Sequence, residues 1–269
     1  MLNNKNIVTE KINTRFELIN FIIDQMKYNS YLEIGINKGI CFNKVSCDKK
    51  VGVDPNPKLE SPSKYPIYTV TSDEYFKNVI GKDENFDLIF IDGLHHHEQI
   101  EKDIINSLSK LSKTGMIVMH DCNPPAERQA RENFNDFGNF WTWEMTLRPG
   151  STLGLEKWNG TAWKTFSKFR CKRDDIFMMT VDIDWGCGIL IPQLDQVRFT
   201  DMSYEECCKF ENFKKNSKKI LNLYSKKAIN NISSPHGRQG FINLLQKIKS
   251  LTEMKERQCI HLNYKLIKE

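Results

Sequence analysis

The stretch F-I-D-G-L-H-H-H-E-Q, Phe90 to Gln99, sets an aspartate three residues ahead of three consecutive histidines, half of the six in the chain. Imidazole titrates near neutrality and can take a proton from an attacking hydroxyl, so the stretch reads as a catalytic base, a metal site or a polar loop without chemistry. A second acid, Asp121, follows His120 in V-M-H-D-C-N. Two carboxylates brought together need a cation, a proton or wide separation. Asp92, Asp121 and His120 are therefore candidate metal ligands. The carboxylates suit a hard ion such as Mg²⁺, and the imidazole favours a softer one. His96 and His97 are expected to belong to a polar loop and a helix start, where Glu98 complements the helix dipole. Consecutive histidines rarely converge on one tetrahedral ion, which argues against a three-histidine zinc site.

A second set of residues suits a ligand with a ribose and a cationic amine. In Y-L-E-I-G-I-N-K-G, Tyr31 to Gly39, the glycines Gly35 and Gly39 follow Glu33. A glycine at a strand-to-helix turn lets backbone approach a ligand closely. The spacing is not the G-x-G-x-x-G that seats a pyrophosphate on a helix N-terminus. Glu33 would repel a phosphate and suits an amino group. Asp54 closes V-G-V-D, where an acid can hold ribose hydroxyls. Ser72 and Asp73 lie in T-V-T-S-D-E-Y-F, and Asp73 could accept from an adenine amino group. The same residues also read as a helix cap, with Glu74 completing a capping box on Thr71. Asp92 is shared between this set and the reacting centre.

Positioning these residues requires strands that end along one edge. Apolar residues at helical spacing predict a helix over 12–27. Short apolar runs predict strands over 31–36, 50–53, 67–70, 87–91 and 116–119, the last after a turn at Lys113-Thr114-Gly115. Between the last two, Ile100, Ile104, Ile105, Leu108 and Leu111 share one helical face. Apolar strands separated by helices imply a parallel sheet covered on both faces, with ligands at the strand C-termini. The expected fold is α/β, a Rossmann-like, doubly wound, mostly parallel sheet. After Asp121, residues 123–161 are rich in Pro, Gly and Trp and read as an irregular insertion or lid. Trp141, Trp143, Trp158 and Trp163 are either an acceptor wall or core. A helix follows over Trp163–Arg170. I-F-M-M-T-V-D-I-D-W-G-C-G-I-L-I-P-Q then predicts an antiparallel strand hairpin turning at 185–188. From 203 the chain reads as mostly helical, broken near 233–237. The expected organisation is an N-terminal helical segment 1–28, a core 29–200 and a C-terminal helical extension 201–269. In that extension Phe241, Leu244, Leu245, Ile248 and Leu251 suit a packed terminal helix or a homo-oligomer interface.

Composition narrows the class. With 39% hydrophobic and 27% charged residues, the 269-residue chain has the balance of a soluble globular protein. No apolar run is long enough for a membrane span, and the N-terminus has no signal-peptide pattern, so a cytoplasmic location is expected. The eight cysteines form no C-x-x-C pair, which fits reduced thiols better than a structural zinc site. The net charge of +5 is concentrated from Glu205 onward, where basic residues exceed acidic ones by eight. Those lysines lack interleaved aromatics, so a solvated helix face is favoured over a nucleic-acid surface.

Glu33–Gly39, Asp54, Asp73 and the terminal hairpin together resemble the class I S-adenosylmethionine-dependent methyltransferases, over roughly residues 10 to 225. The resemblance implies that the glycine turn and Glu33 hold the methionine part, Asp54 the ribose, and Asp73 the adenine. The D-G-L-H stretch and Asp121 resemble a narrower group, the metal-dependent O-methyltransferases of the catechol and macrolide-sugar (macrocin/mycinamicin) types. There the metal acids end strands four and five and the base follows the first acid by three residues, so the resemblance implies Asp92 and Asp121 as the acids and His95 as the general base. Histidine as base is closer to the sugar branch. The chain departs from the pattern at Asn37, a glycine in many members. It departs again at Cys122, where the catechol type has an asparagine ligand that Asn123 supplies one residue late. A third departure is His120, which stands in place of the sugar branch's additional acid. W-N-G-T-A-W-K-T-F-S-K-F-R, Trp158 to Arg170, and V-D-I-D-W-G-C-G-I-L, Val181 to Leu190, also resemble members grouped with glycan enzymes. The resemblance implies methyl transfer to a hydroxyl of a sugar, nucleotide-sugar or related small molecule. Alternatives are an RNA or N-methyltransferase using the basic C-terminal segment, an NAD-dependent oxidoreductase, which the missing G-x-G-x-x-G disfavours, and a non-catalytic scaffold.

Overall fold

The computed structural model describes residues 11–133, 158–232 and 234–254. Trp141, Trp143 and much of the expected lid fall outside the described residues.

The chain opens with α1, Arg15–Met26, whose start is fixed by Glu17 accepting from the Asn13 and Thr14 amides at 2.8 and 2.9 Å. Next come β1 (Ser30–Ile34), α2 (Ile40–Lys44), β2 (Lys49–Val53) and β3 (Ile67–Tyr68). α3 (Ser72–Glu74) runs into one π-turn over Tyr75–Val79, and β4 (Phe86–Ile91), α4 (His97–Leu108) and β5 (Leu111–Met119) follow. After the insertion come α5 (Ala162–Lys172), β6 (Ile176–Asp182) and β7 (Cys187–Pro192). The C-terminal part holds α6 (Tyr204–Cys207), α7 (Phe210–Ile220), β8 (Leu223–Ser225), α8 (Lys226–Ile229) and α9 (Arg238–Met254).

The eight strands form one sheet in the order β3-β2-β1-β4-β5-β7-β6-β8. The first five are parallel, and β7 runs antiparallel between β5 and β6. This is the expected doubly wound sheet with a terminal hairpin. Alternate side chains serve opposite faces. Leu88 and Phe90 join a core with α1, α2 and α9, while Ile89 and Ile91 join one with α4, α5 and α7. The face of α9 carrying Phe241, Leu245 and Ile248 is buried against the fold itself, with Phe241 stacked on Phe21 at 6.0 Å. Lys50 is buried between β2 and α2 and donates to the Phe42 and Val45 carbonyls at 2.6 and 2.8 Å, satisfying the last turn of a short helix.

Several boundaries differ from the sequence reading. β1 stops at Ile34 because Gly35, at φ +90°, turns the chain out of the strand. β3 is only two residues long, paired through Gly52↔Ile67 and Val53↔Tyr68. Lys113-Thr114-Gly115 is not a turn before β5 but an irregularity within it, where the register against β4 shifts between Phe86 and Leu88. The capping box at α3 is half made: Thr71 Oγ1 accepts from the Glu74 amide at 3.2 Å, but Glu74 takes the Asn78 side chain instead. β8, parallel to β6, is a strand in the region expected to be mostly helical. No helix among the described residues is long and apolar enough to cross a membrane.

Candidate functional site

The strand ends align because pairing continues one residue past each strand. Gly35 donates to the Val53 carbonyl (2.8 Å), Asp54 to Tyr68 (3.1 Å), Asp92 to Ile34 (2.8 Å) and His120 to Ile91 (3.0 Å). These four residues therefore line one edge of the sheet. A Cβ on Gly35 would sit 2.2 Å from the Asp92 carbonyl oxygen, so only glycine lets the β1 turn lean on the end of β4.

Two clefts open along that edge. The larger, about 510 Å³, is lined by Gly35, Asp54, Ser72, Asp73, Asp92 and Gln99 among others. The smaller, about 330 Å³, is lined by Arg15, Glu33, Asp121, His120, Trp158 and Asp184 among others. Asp92 and His95 line both. Gly39 lines neither; it sits at the N-cap of α2.

In the larger cleft, Asp54 Oδ2 accepts from the Ile36 and Asn37 amides at 2.9 and 2.8 Å, and Oδ1 from the Asn56 amide at 2.7 Å. Its first task is to hold the glycine turn. By lone-pair count one acceptor position on Oδ1 remains for a ligand hydroxyl. Ser72 and Asp73 sit together at the start of α3, and the Gln99 side chain reaches both. Glu33, at the smaller cleft, is buried and accepts from the Tyr31 hydroxyl at 2.5 Å. Burial is the main cause that pushes its carboxyl up to about 8.

The candidate reacting centre is a cluster of two acids and two histidines. His120 Nδ1 lies 3.2 Å from both Asp92 Oδ1 and Asp121 Oδ2. Its Nε2 meets the Asp184 carbonyl at 2.5 Å and Arg15 Nη1 at 3.2 Å. A carbonyl only accepts, so Nε2 carries hydrogen, and Arg15 is directed instead to Asp184 Oδ2 at 3.2 Å. Burial opposes a charge on His120 most strongly, but Asp121 and Asp92 together reverse it, and the imidazole is pushed up to about 10. Burial raises the Asp92 carboxyl, yet His120, His95 and Arg15 overcome it and hold it well below its ordinary range. Asp121 sits at φ +63°, in the left-handed region, where the chain leaves β5 and Cys122 and Asn123 pair with the hairpin turn. Asn123 donates to Asp182 at 2.8 Å, so its side-chain nitrogen is engaged away from the acids.

His95 is held on three sides. Its Nδ1 lies 3.0 Å from the Trp158 carbonyl and 3.3 Å from Asp121 Oδ2, and its Nε2 lies 3.6 Å from Asp92 Oδ1. Both neighbours of Nδ1 accept, so Nδ1 carries hydrogen and Nε2 is the basic nitrogen. The imidazole stacks on the Trp158 ring at 5.3 Å and 21°. Burial pulls the His95 pKa down, but hydrogen bonding to Asp92 and the charge of Asp121 outweigh it, for a net upward shift. Asp92, His95 and Asp121 each offer one atom within 4.8 Å of the others, close enough for a shared ion. His96 is the N-cap residue of α4 and His97 begins the helix, as the sequence reading expected.

The sequence reading offered Trp158 as acceptor wall or core but missed Asn159 and Gly160 as part of the site. Fully buried Asn159 donates its side-chain amide to Asp121 Oδ1. Gly160, at φ +61°, packs so close that a Cβ would meet the His95 carbonyl at 2.2 Å, and Thr161 donates its amide to that carbonyl at 2.7 Å. Arg15 and Asp184 were also missed; Arg15 Nε lies 3.5 Å from Asp92. Trp163, by contrast, is core, 1% exposed. The sequence signals were the W-N-G tripeptide and the D-W-G turn, but neither shows which strand end it meets.

Residues 32–122, which span every strand end just described, match the family model described as a methyltransferase domain. Over that stretch the chain is similar to a methyltransferase domain. Among solved structures it is similar to the O-methyltransferase TomG from Streptomyces achromogenes in complex with SAM. Identity there is 10%, covering 66% of this chain and 79% of that one, with a TM-score of 0.44. It is also similar to the SAH-bound methyltransferase PaMTH1 from Podospora anserina, at 16% identity, 71% and 80% coverage and a TM-score of 0.43. A third is the O-methyltransferase from Bacillus cereus in complex with SAH, at 10%, 68% and 83%, with a TM-score of 0.42. At these scores the likenesses add nothing to the reading of the site. No curated protein matches the chain.

Proposed function

We propose that this methyltransferase transfers its methyl group to a hydroxyl of a sugar, a nucleotide-sugar or a related small molecule, with His95 as general base. The observation that carries the reading is the position of His95 where the two clefts meet, its Nδ1 committed to Trp158 and Asp121. S-adenosylmethionine, when bound, supplies the methyl group as a sulfonium. In this reading Asp54 and Asp73 in the larger cleft hold the ribose and adenine. Glu33 and the glycine turn receive the methionine end, where an ammonium group would restore the charge that burial suppresses on Glu33. The acceptor hydroxyl lies in the smaller cleft. As its oxygen bonds to the methyl carbon and the sulfur–carbon bond breaks, His95 Nε2 takes the hydroxyl proton. Asp121 steadies the imidazolium that forms. The two clefts supply orientation, which accounts for much of the rate in a direct transfer. The Trp158 ring gives the smaller cleft an apolar wall suited to a sugar face.

Asp92, Asp121 and His120 would hold a divalent ion. The residues fit one: His120 Nε2 is fixed by a carbonyl while Nδ1 faces an oxygen of each acid, the usual support for a ligating imidazole. An imidazole beside two carboxylates suits Mn²⁺, Fe²⁺ or Zn²⁺ better than Mg²⁺. Such an ion would polarise the acceptor oxygen and lower its pKa.

The test is incubation with S-adenosylmethionine and a panel of glycosides, nucleotide-sugars, catechols, amines and RNA, with and without chelator, read by product mass and hydrolytic stability. Methyl ethers on a sugar-type hydroxyl are expected. Transfer only to amines or RNA, or thermal stabilisation by NAD alone, would contradict the reading. Activity unchanged by thorough chelation would remove the ion while leaving His95 in place.

A further inference from the structure

Asp103 is buried behind the larger cleft, 1% exposed, and methyl transfer makes no use of it. Gln99, one turn earlier on α4, aims its side-chain nitrogen at three acceptors: Asp73 Oδ1 at 3.0 Å, Asp103 Oδ1 at 3.1 Å and Ser72 Oγ at 3.2 Å. An amide nitrogen has two hydrogens, so the three acceptors share them. Gln99 thereby ties a buried acid of α4 to the two residues that begin α3. Asp73 is about half exposed, and its other neighbouring charge is Lys102, whose ammonium lies 3.8 Å from Oδ2. That lysine is itself largely exposed and too distant for a direct hydrogen bond, so it fixes no orientation. The firm constraint on the Asp73 carboxylate is the Gln99 amide.

We infer that Gln99 is a positioning residue for cofactor specificity: it orients Asp73 to accept from the exocyclic amino group of adenine and to reject a 6-oxo purine. The inference rests on reading the larger cleft as the S-adenosylmethionine site. An amino group donates to a carboxylate, whereas the 6-oxo group of hypoxanthine presents a second acceptor and is repelled. A site built to pair with a polar group discriminates against the analogue that cannot pair, provided the pairing group is held in place. With Gln99 removed, Asp73 is free to turn toward solvent and Lys102, and the discrimination is lost even though the acid remains.

The experiment is calorimetric binding of S-adenosylhomocysteine and S-inosylhomocysteine to the full chain, the Gln99→Leu and Gln99→Ala variants, Asp73→Ala and the double variant. The wild type should prefer the adenine compound by roughly 10- to 100-fold, the range for one hydrogen bond to a charged group. Each Gln99 variant should bring the ratio below about threefold, as should Asp73→Ala, and the double variant should change it no further. A residue that merely stabilised α4 would weaken both ligands by the same factor and keep the ratio, and that result would overturn the inference. Thermal unfolding without ligand identifies a variant that has not folded, in which case the other Gln99 variant decides. A wild type that binds neither compound would defeat the cofactor reading itself. A wild type that binds both equally would defeat the role of Asp73 and, with it, that of Gln99.

Discussion

His120→Gln removes the more deeply buried of the two imidazoles set between Asp92 and Asp121 while keeping a side chain of similar reach. His120 Nδ1 lies 3.2 Å from an oxygen of each acid, and the imidazole is pushed from its ordinary 6.5 up to about 10. A shift of that size corresponds to about 5 kcal/mol in favour of the folded, protonated form. Because the folded pKa is raised, this stability is fully present below pH 6.5 and disappears as pH rises through about 10. Removing one member of a buried charge cluster generally costs about 3–5 kcal/mol, so a loss near 4 kcal/mol is expected below pH 7. The assay is urea unfolding of both proteins at intervals from pH 6 to pH 10.5 in chelator. Taking the difference between the two cancels the titration of shared groups that do not sense His120, Glu33 among them. The gap should be about 4 kcal/mol at pH 6 and close toward zero at the alkaline end. A gap under about 1 kcal/mol at pH 6, or one that does not depend on pH, would refute the assignment of His120 as a cation held between the acids.

Two other outcomes follow from the geometry. Gly160→Ala forces a side chain into the left-handed region and against the His95 carbonyl; a stability loss of about 2–4 kcal/mol is expected in thermal or urea unfolding, with kcat falling far more than S-adenosylhomocysteine affinity. Because His95 is shifted upward, it holds its proton near neutrality, and a base must first lose it. The pH–rate profile in chelator should therefore climb through an apparent pKa above 6.5, with its plateau on the alkaline side; a flat profile from pH 6 to 9 would argue against an imidazole base.

Much of the larger cleft was legible because it is local. A glycine after an apolar run, an acid closing V-G-V-D and an acid opening F-I-D-G are each fixed by where one strand stops, and parallel pairing then brings Gly35, Asp54 and Asp92 to one edge. The pairing of the two acids was legible too, since β4 and β5 are adjacent. What bridges them was not. The place of His120 between Asp92 and Asp121 depends on Asp184, delivered by the hairpin turn, and on Arg15, delivered by α1. Asn159 reaches Asp121 across 38 positions of chain, a contact that periodicity and local spacing do not encode. The two-residue β3 and three-residue β8 are too short to show a strand pattern, and β8 is hidden between lysine-rich helices.

The central claim is that His95 serves the methyl-transfer step and not the binding of cofactor. The direct measurement is His95→Gln against wild type on one preparation, reading the turnover of methyl-labelled S-adenosylmethionine with the best hydroxyl acceptor and the Kd of S-adenosylhomocysteine. Loss of a general base should lower kcat by about 100-fold or more, with Kd changed by less than about threefold. Retained turnover, or a loss of cofactor affinity that matches the loss of rate, would contradict the account.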